Sequence, residues 1–264
     1  MSTYKADDAV GYQQTMGRWS SRLAPLLIQF AGINAADRIL DVGCGTGSLT
    51  FALAERFPRA SIAAMDYSQT FVEYARSKSS NPNLHFEQGD AAALHYGNAQ
   101  FDATMSLLVL NFIPAAERAA REMRRVTKSG GVVAAAVWDF KGGLTFLRVL
   151  ADTAAVLDHS AEEFRARQFS APFTGPGELA ATWSDLGLKD VVQTSLTIRM
   201  DFASFADYWT PWLSGQGTVG AYVSSLDESK RRQLESHLRR AYLAGADDGP
   251  RSFAATAWAV RGKV

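Results

Sequence analysis

Apolar residues along the chain follow two spacings, one typical of helices and one of buried strands. Residues 18–31 repeat large apolar side chains at helical spacing, whereas several short apolar runs end in glycine, proline or polar residues. The pattern predicts strands at 38–42, 61–65, 84–88, 103–110, 132–138, 191–200 and about 254–261. It predicts helices at 18–31, 49–57, 69–78, 115–126, 146–157 and 176–186, a turn at 129–131, and mostly helical, aromatic-rich chain at 202–246.

This order of elements predicts an α/β fold. Short strands separated by helices favour a doubly wound, mostly parallel sheet with helices on both faces and right-handed crossovers. No internal repeat or linker divides the chain, so residues 1–264 are expected to form a single domain.

Composition narrows the function classes. Lys and Arg together number 27, as do Asp and Glu, and this balance does not favour a nucleic-acid partner. The single cysteine, Cys44, excludes an intramolecular disulfide and a multi-cysteine zinc cluster, and no metal site is predicted. The N-terminus is polar and no apolar run is long enough for a membrane span, so a cytoplasmic protein is expected.

A glycine-rich loop is the most informative segment. Asp41-Val42-Gly43-Cys44-Gly45-Thr46-Gly47 follows a strand and opens a helix, where doubly wound sheets bind ligands. A nicotinamide dinucleotide is one alternative, but its fingerprint is G-x-G-x-x-G and the spacing here is G-x-G-x-G. Asp41 would repel a pyrophosphate and suits a cation. The charge therefore favours S-adenosyl-L-methionine, which carries an ammonium and a sulfonium and no phosphate.

Two further acids follow the next two strands. Asp66 ends the second strand, where a carboxylate can accept both hydroxyls of a ribose, and Asp90 follows the third, within reach of an adenine amino group. A single acid in such a place is more often a turn or helix cap. Three acids at successive strand ends, beside a glycine loop, favour a binding site.

Residues 38–138 resemble the core of class I S-adenosylmethionine-dependent methyltransferases of the small-molecule type. The glycine loop is similar to the first motif of that family, Asp66 to its ribose acid and residues 89–91 to its adenine motif. Residues 101–112 are similar to its fourth strand and 125–132 to the turn before its fifth, with Ser129 where a proline is usual. The resemblance implies a Rossmann-like sheet of seven strands, the last antiparallel.

The resemblance also implies how the chain is divided and which residues contact the cofactor. Residues 1–35 would form an N-terminal lid and helix, 36–140 the cofactor-binding core, and 141–264 the substrate side, including the helical insertion. S-adenosyl-L-homocysteine would be the product. The expected cofactor-binding residues are Tyr12, Arg18, Asp41, Gly43, Cys44, Gly45, Asp66, Tyr67, Asp90, Ala91 and Leu107.

Within the N-terminal segment, two residues have proposed contacts. Arg18 would pair with the methionine carboxylate of the cofactor and Tyr12 would exclude water. The alternative is that this segment only begins a helix packed on the sheet. Trp19 is expected in the core.

The acceptor is expected to be a small molecule. The motif that amino-methylating DNA enzymes carry after the fourth strand is absent from 106–112, and Asn111 could either orient a substrate or cap a helix. Trp138, Trp209 and Trp212 could bound an apolar pocket for an apolar or aromatic acceptor, or could simply pack in the core.

No general base is identifiable, because no histidine has a recognisable partner. Catalysis by positioning is therefore expected. A cofactor-binding subunit without catalysis and an NAD(P)-dependent oxidoreductase are the alternative functions. The oligomeric state is left open, with a homodimer among the options.

Overall fold

Seven strands form one twisted sheet in the computed structural model, which describes residues 8–215 and 217–264. The strands are β1 (Arg38–Val42), β2 (Ser61–Asp66), β3 (Leu84–Gln88), β4 (Phe101–Leu107), β5 (Thr127–Trp138), β6 (Lys189–Phe202) and β7 (Arg251–Lys263). Their order is β3-β2-β1-β4-β5-β7-β6. The first five are parallel, and β7 runs antiparallel to both β5 and β6. The predicted fold class is therefore confirmed.

Eleven α-helices occur in the described residues. They are α1 (Ala9–Tyr12), α2 (Arg18–Ala31), α3 (Ser48–Arg56), α4 (Gln69–Ser77), α5 (Ala116–Val126), α6 (Thr145–Leu157), α7 (Ala161–Phe169), α8 (Glu178–Asp185), α9 (Phe205–Trp209), α10 (Gly217–Ser225) and α11 (Glu228–Leu243). A π-helical turn, Gln13–Gly17, joins α1 to α2, and 3-10 turns lie at Leu110–Phe112 and Thr210–Ser214. No described helix is both long and apolar enough to cross a membrane.

Two predicted boundaries around β4 and β5 were wrong for identifiable reasons. The predicted turn at 129–131 lies within β5, because Gly130 N–H donates to the Val264 carbonyl and Val264 N–H to the Gly131 carbonyl, which ties this end of β5 to the last residue of the chain. The strand predicted to reach residue 110 stops at Leu107, since Leu108 takes a positive φ of 64° and turns the chain away. Helix α7 was not predicted at all.

The sheet is buried on both faces, as expected of parallel strands covered by helices. On one face, α2 and α3 pack Leu23, Leu27 and Leu53 against the strands. On the other, α5 and α8 bury Met123 and Trp183, among others. Trp19 is buried in the first of these cores, as predicted. Both layers leave the carboxyl ends of the parallel strands open to the cavity described next.

Candidate functional site

A cavity of about 580 Å³ lies at the carboxyl ends of the parallel strands. Its wall takes residues from the loops after β1, β2 and β3, from the ends of β4 and β5, from the N-terminal segment, and from the helical region after β5. The crevice outside these strand ends is where open α/β sheets bind ligands. The fold therefore places the predicted motifs around one cavity.

The glycine loop exposes backbone to this cavity. Gly43, Gly45 and Gly47 have φ of 76°, 54° and 95°, a region that side chains strongly disfavour. A Cβ at Gly43 would lie 2.5 Å from a methyl carbon of Val109, whereas a Cβ at Gly45 would meet nothing within 4 Å. Gly43, Cys44 and Gly45 all line the cavity, so the predicted loop is on its wall.

Asp41 is oriented away from the cavity wall. It is fully buried, and its Oδ2 accepts a hydrogen bond of 2.6 Å from the Thr50 hydroxyl of α3. No described residue bonds its Oδ1. Burial raises the pKa of this carboxyl to about 7. The structure thus corrects the expected direct contact with a cationic ligand, because the side chain points from β1 into the interior beside α3.

Asp66 and Asp90 do line the cavity, as do Tyr67 and Ala91. The Gly45 and Ser68 N–H groups donate to separate oxygens of Asp66, over 2.8 and 2.9 Å. Burial raises the pKa of Asp66, and these backbone donors partly oppose that rise. A carboxylate oxygen can accept more than one hydrogen bond, so Asp66 keeps acceptor capacity for a ligand. Asp90 accepts the Ala92 N–H at 2.8 Å, the local turn bond expected of an acid in this position.

The N-terminal segment covers this end of the cavity. Tyr12, Thr15 and Met16 line it, and the amide of Gln13 donates to the Thr46 hydroxyl over 2.8 Å. Gln13 thereby ties the segment to the glycine loop through the π-helical turn, a conformation found frequently at functional sites. Residues 1–7 of the predicted lid lie outside the described residues.

Arg18 does not line the cavity, so its predicted role is corrected. Its guanidinium donates to the Asp207 carboxylate over 2.8 Å and to the Asp207 carbonyl over 3.3 Å. It also lies 4.4 Å from the centre of the Trp19 ring. Because Arg18 begins α2 on the side facing α9, these partners hold it away from the cavity.

The far end of the cavity is aromatic and aliphatic. Trp138 at the end of β5 lines it, as does Trp212, which stacks on Phe146 with ring centroids 6.1 Å apart. Leu107, a predicted cofactor contact, also lies on the wall. The other large apolar wall residues from the helical region and the preceding loop are Phe140, Leu144, Leu147 and Val219.

Trp209 is not on the wall, and the sequence prediction grouped it there wrongly. It stacks on Phe205 with centroids 6.4 Å apart, inside the core. The prediction assumed one continuous α-helix, but α9 ends at Trp209 and a 3-10 turn containing Pro211 follows. Trp209 and Trp212 therefore lie in different elements with different aromatic partners, Phe205 for Trp209 and Phe146 for Trp212.

Asn111 takes neither of its predicted roles. It lies in the 3-10 turn after β4, is not on the cavity wall, and neither of its amide atoms bonds any described residue. Helix α5 begins later, at Ala116, with no side-chain cap.

Two polar wall residues, Gln168 and Thr218, were missed by the sequence analysis. They come from helices with no motif around them, so no sequence signal marked them.

Comparison with known proteins finds a methyltransferase domain in part of this chain. Residues 39–131 match the family model described as methyltransferase domain. Uncharacterized proteins of Mycobacterium tuberculosis and Mycobacterium bovis are 30% identical over 122 residues, which is 46% of this chain and 44% of theirs. The match thus spans less than half the length of these curated relatives. The trans-aconitate 2-methyltransferase of Deinococcus radiodurans is 29% identical over 193 residues, 72% of each chain.

Solved structures share the fold at low identity. The YcgJ protein from Bacillus subtilis has a TM-score of 0.60 and 18% identity, covering 92% of this chain and 97% of its own. Phosphoethanolamine N-methyltransferase 2 from Haemonchus contortus, solved with phosphomonomethylethanolamine and S-adenosylhomocysteine, has a TM-score of 0.59 and 13% identity. That likeness covers 97% of this chain and 56% of the other. The glycine loop, the strand order and the family match together identify residues 39–131 as a methyltransferase domain, in a fold shared with S-adenosylmethionine-dependent methyltransferases.

Proposed function

We propose that this chain transfers the methyl group of S-adenosylmethionine to a small, uncharged, largely apolar acceptor. The observation that carries the proposal is a single cavity with two chemically different ends. One end has the glycine loop, Asp66 and Asp90, and the other has Trp138 and Trp212. Its volume lies within the range of about 300–1,000 Å³ usual for small-molecule sites.

The polar end suits S-adenosylmethionine in charge and in access to the backbone. Among the described residues that line the cavity, Asp66 and Asp90 are acids and none is Lys, Arg or His. This balance suits a ligand with a sulfonium and an ammonium. Gly45 leaves space where a side chain would stand, which allows close approach of a ligand to the backbone.

Individual residues can then be assigned to parts of the cofactor. Asp66 would accept the ribose hydroxyls, and Asp90 with Ala91 would contact the adenine. Ser48 and Leu49, in the first turn of α3, line the cavity, and that turn has N–H groups free of intrahelical partners. These N–H groups would take the methionine carboxylate in place of Arg18.

Catalysis would consist mainly of holding the acceptor and the cofactor in the correct relative position. When bound, S-adenosylmethionine supplies an already activated methyl group. The aromatic wall would hold the acceptor against the cofactor. Tyr12 and Met16, in the N-terminal segment that covers the glycine loop, would exclude water from the cavity. None of the described side chains at the aromatic end is an acid or a histidine, so no general base is assigned there.

The acceptor proposed here differs in charge from the one that names the Deinococcus relative. Trans-aconitate is a tricarboxylate, and burying carboxylates without a cationic partner is costly. The described residues that line the cavity include no Lys, Arg or His. Arg18, which was predicted to bind a carboxylate, is paired with Asp207 instead. A neutral acceptor therefore suits this cavity better. A cytoplasmic location and a homodimer stay predictions from the sequence.

The test is release of S-adenosylhomocysteine, measured by mass spectrometry. The protein is incubated with S-adenosylmethionine and a panel of neutral aromatic and aliphatic alcohols, phenols and amines, with trans-aconitate as the charged comparison. We expect product with a neutral acceptor and only background with trans-aconitate. Calorimetry showing no binding of S-adenosylmethionine would contradict the proposal. Binding without turnover on any acceptor would favour the cofactor-binding subunit instead.

A further inference from the structure

The apolar end of the cavity contains a polar pair contributed by two separate helices. Gln168 lies near the end of α7 and Thr218 near the start of α10, and both line the cavity. The Thr218 hydroxyl donates to Oε1 of Gln168 over 2.6 Å. The surrounding wall from the end of β5 to α10 is otherwise almost entirely aromatic or aliphatic. This pair is therefore an isolated polar feature in an apolar setting.

One hydrogen-bonding group of this pair is unused. Gln168 is only 7% exposed, yet no described residue accepts a hydrogen bond from its Nε2. Unlike the Trp138 and Trp212 indole N–H groups, which are fully enclosed, this Nε2 is not among the sealed unpaired atoms. It is therefore not sealed, and the residue that carries it lines the cavity. A nearly buried donor without a partner is unfavourable, and a bound molecule would supply the missing acceptor.

The start of α10 adds a second source of donors to the same wall. Gly217, Thr218 and Val219 form its first turn, and all three line the cavity. The N–H groups of a first helical turn have no intrahelical partner, and the helix dipole makes this end partly positive. Both the turn and Gln168 thus favour a ligand atom that carries partial negative charge.

We propose that Gln168 and the first turn of α10 form a polar subsite for one oxygen of the methyl acceptor. The oxygen is a carbonyl, ether or hydroxyl oxygen on an otherwise apolar, uncharged molecule. A full carboxylate is disfavoured, because no described wall residue is Lys, Arg or His. This assignment rests on the proposed function and adds to its uncharged, apolar acceptor one oxygen atom that the protein recognises. Gln168 is a specificity-determining residue, because it determines which acceptor binds and in which orientation.

The experiment uses the full chain saturated with S-adenosylhomocysteine and three probes that share the naphthalene ring system. Naphthalene, 2-acetylnaphthalene and 2-naphthoate present no oxygen, a neutral carbonyl and a carboxylate, respectively. Quenching of tryptophan fluorescence reports their binding. In the wild type we expect 2-acetylnaphthalene to bind about two- to tenfold more tightly than naphthalene, as for one neutral hydrogen bond, with 2-naphthoate the weakest.

Substitutions then assign that preference to the subsite. Gln168→Leu should bring the ratio of 2-acetylnaphthalene to naphthalene affinity to about one, with naphthalene and S-adenosylhomocysteine affinities unchanged. Thr218→Val keeps the shape of the side chain and should also lower the ratio, because the Gln168 amide loses the bond that holds it. Gln233→Leu, on the exposed face of α11, is the matched control and should keep the wild-type ratio.

The outcomes separate this proposal from the proposed function. An unchanged ratio in Gln168→Leu with intact S-adenosylhomocysteine binding would overturn the subsite alone. Tightest binding of 2-naphthoate would overturn the uncharged acceptor class. Failure of the wild type to bind S-adenosylhomocysteine would overturn the proposed function itself, and the subsite with it. If Gln168→Leu does not fold, Thr218→Val against Gln233→Leu provides the same comparison.

Discussion

The two ends of the cavity are built in different ways. The glycine-loop end is made mainly of residues at or directly after the ends of β1, β2 and β3, which these strands position, with the N-terminal segment covering them. The aromatic end is assembled from β5, α6, α7, α10 and a 3-10 turn, whose residues meet only through packing. Substitutions at the first end should mainly change ligand affinity. At the second, stability and ligand choice are coupled, since the same side chains form both core and wall.

The sharpest test of that coupling compares two buried tryptophans of the aromatic region. Trp209→Ala and Trp212→Ala should each lower the free energy of unfolding in urea by about 3–5 kcal/mol. Only Trp212 borders the cavity, so only Trp212→Ala should also weaken 2-acetylnaphthalene binding in the presence of S-adenosylhomocysteine. An equal loss of probe affinity in both variants would mean that Trp209 is part of the wall after all.

Substitution of Asp41, which is buried beside the glycine loop, tests whether a group near this end lowers the free energy of unfolding at neutral pH. Its folded-state pKa of about 7 exceeds its ordinary value of 3.8, so the folded protein retains a proton that the unfolded chain releases between these values. The contribution of Asp41 to the free energy of unfolding therefore falls as pH rises from about 4 to 7, by at most about 4 kcal/mol. Asp41→Asn should make urea stability depend less on pH between 5 and 8.

The Asp41→Asn variant can also be compared with the wild type at a single pH. The asparagine can keep the bond from Thr50, so its stability at pH 8 should exceed that of the wild type. Asp185→Asn, at the exposed end of α8, should leave the pH profile as it is. A wild-type profile in Asp41→Asn would show that this carboxyl does not titrate in that range.

Asp66 tests affinity at the polar end. Asp66→Ala should weaken S-adenosylhomocysteine binding by about 1.5–3 kcal/mol, because a charged acceptor of hydrogen bonds is lost. Isothermal calorimetry measures the change, with Asp185→Ala as the control. Equal affinity of Asp66→Ala and the wild type would remove Asp66 from the cofactor site.

The smallest expected effect concerns Arg18, which does not line the cavity. Its ion pair with Asp207 is about one third exposed, so Arg18→Met should cost about 1 kcal/mol of stability, including the loss of its contact with Trp19. S-adenosylhomocysteine affinity by calorimetry should not change. A tenfold loss of affinity would instead restore the pairing of Arg18 with the methionine carboxylate.

The sequence by itself determined the sheet, the glycine loop and the acids after β2 and β3. These features are local: strand periodicity repeats within a few residues, and a positive φ selects glycine whatever lies around it. Because parallel strands align their carboxyl ends, motifs at Gly43, Asp66 and Asp90 had to meet at one edge. Their place on the cavity wall could therefore be predicted from strand order alone.

Only the tertiary structure decided the direction of the remaining side chains. Arg18 turned to Asp207, a partner nearly two hundred residues away in the chain that no local pattern marks. Trp209 packs away from the cavity, whereas Trp212 lies on its wall. Gln168 and Thr218 became neighbours through the packing of α7 and α10. Such contacts depend on how whole helices pack, and sequence periodicity gives the face of a helix but not its neighbour.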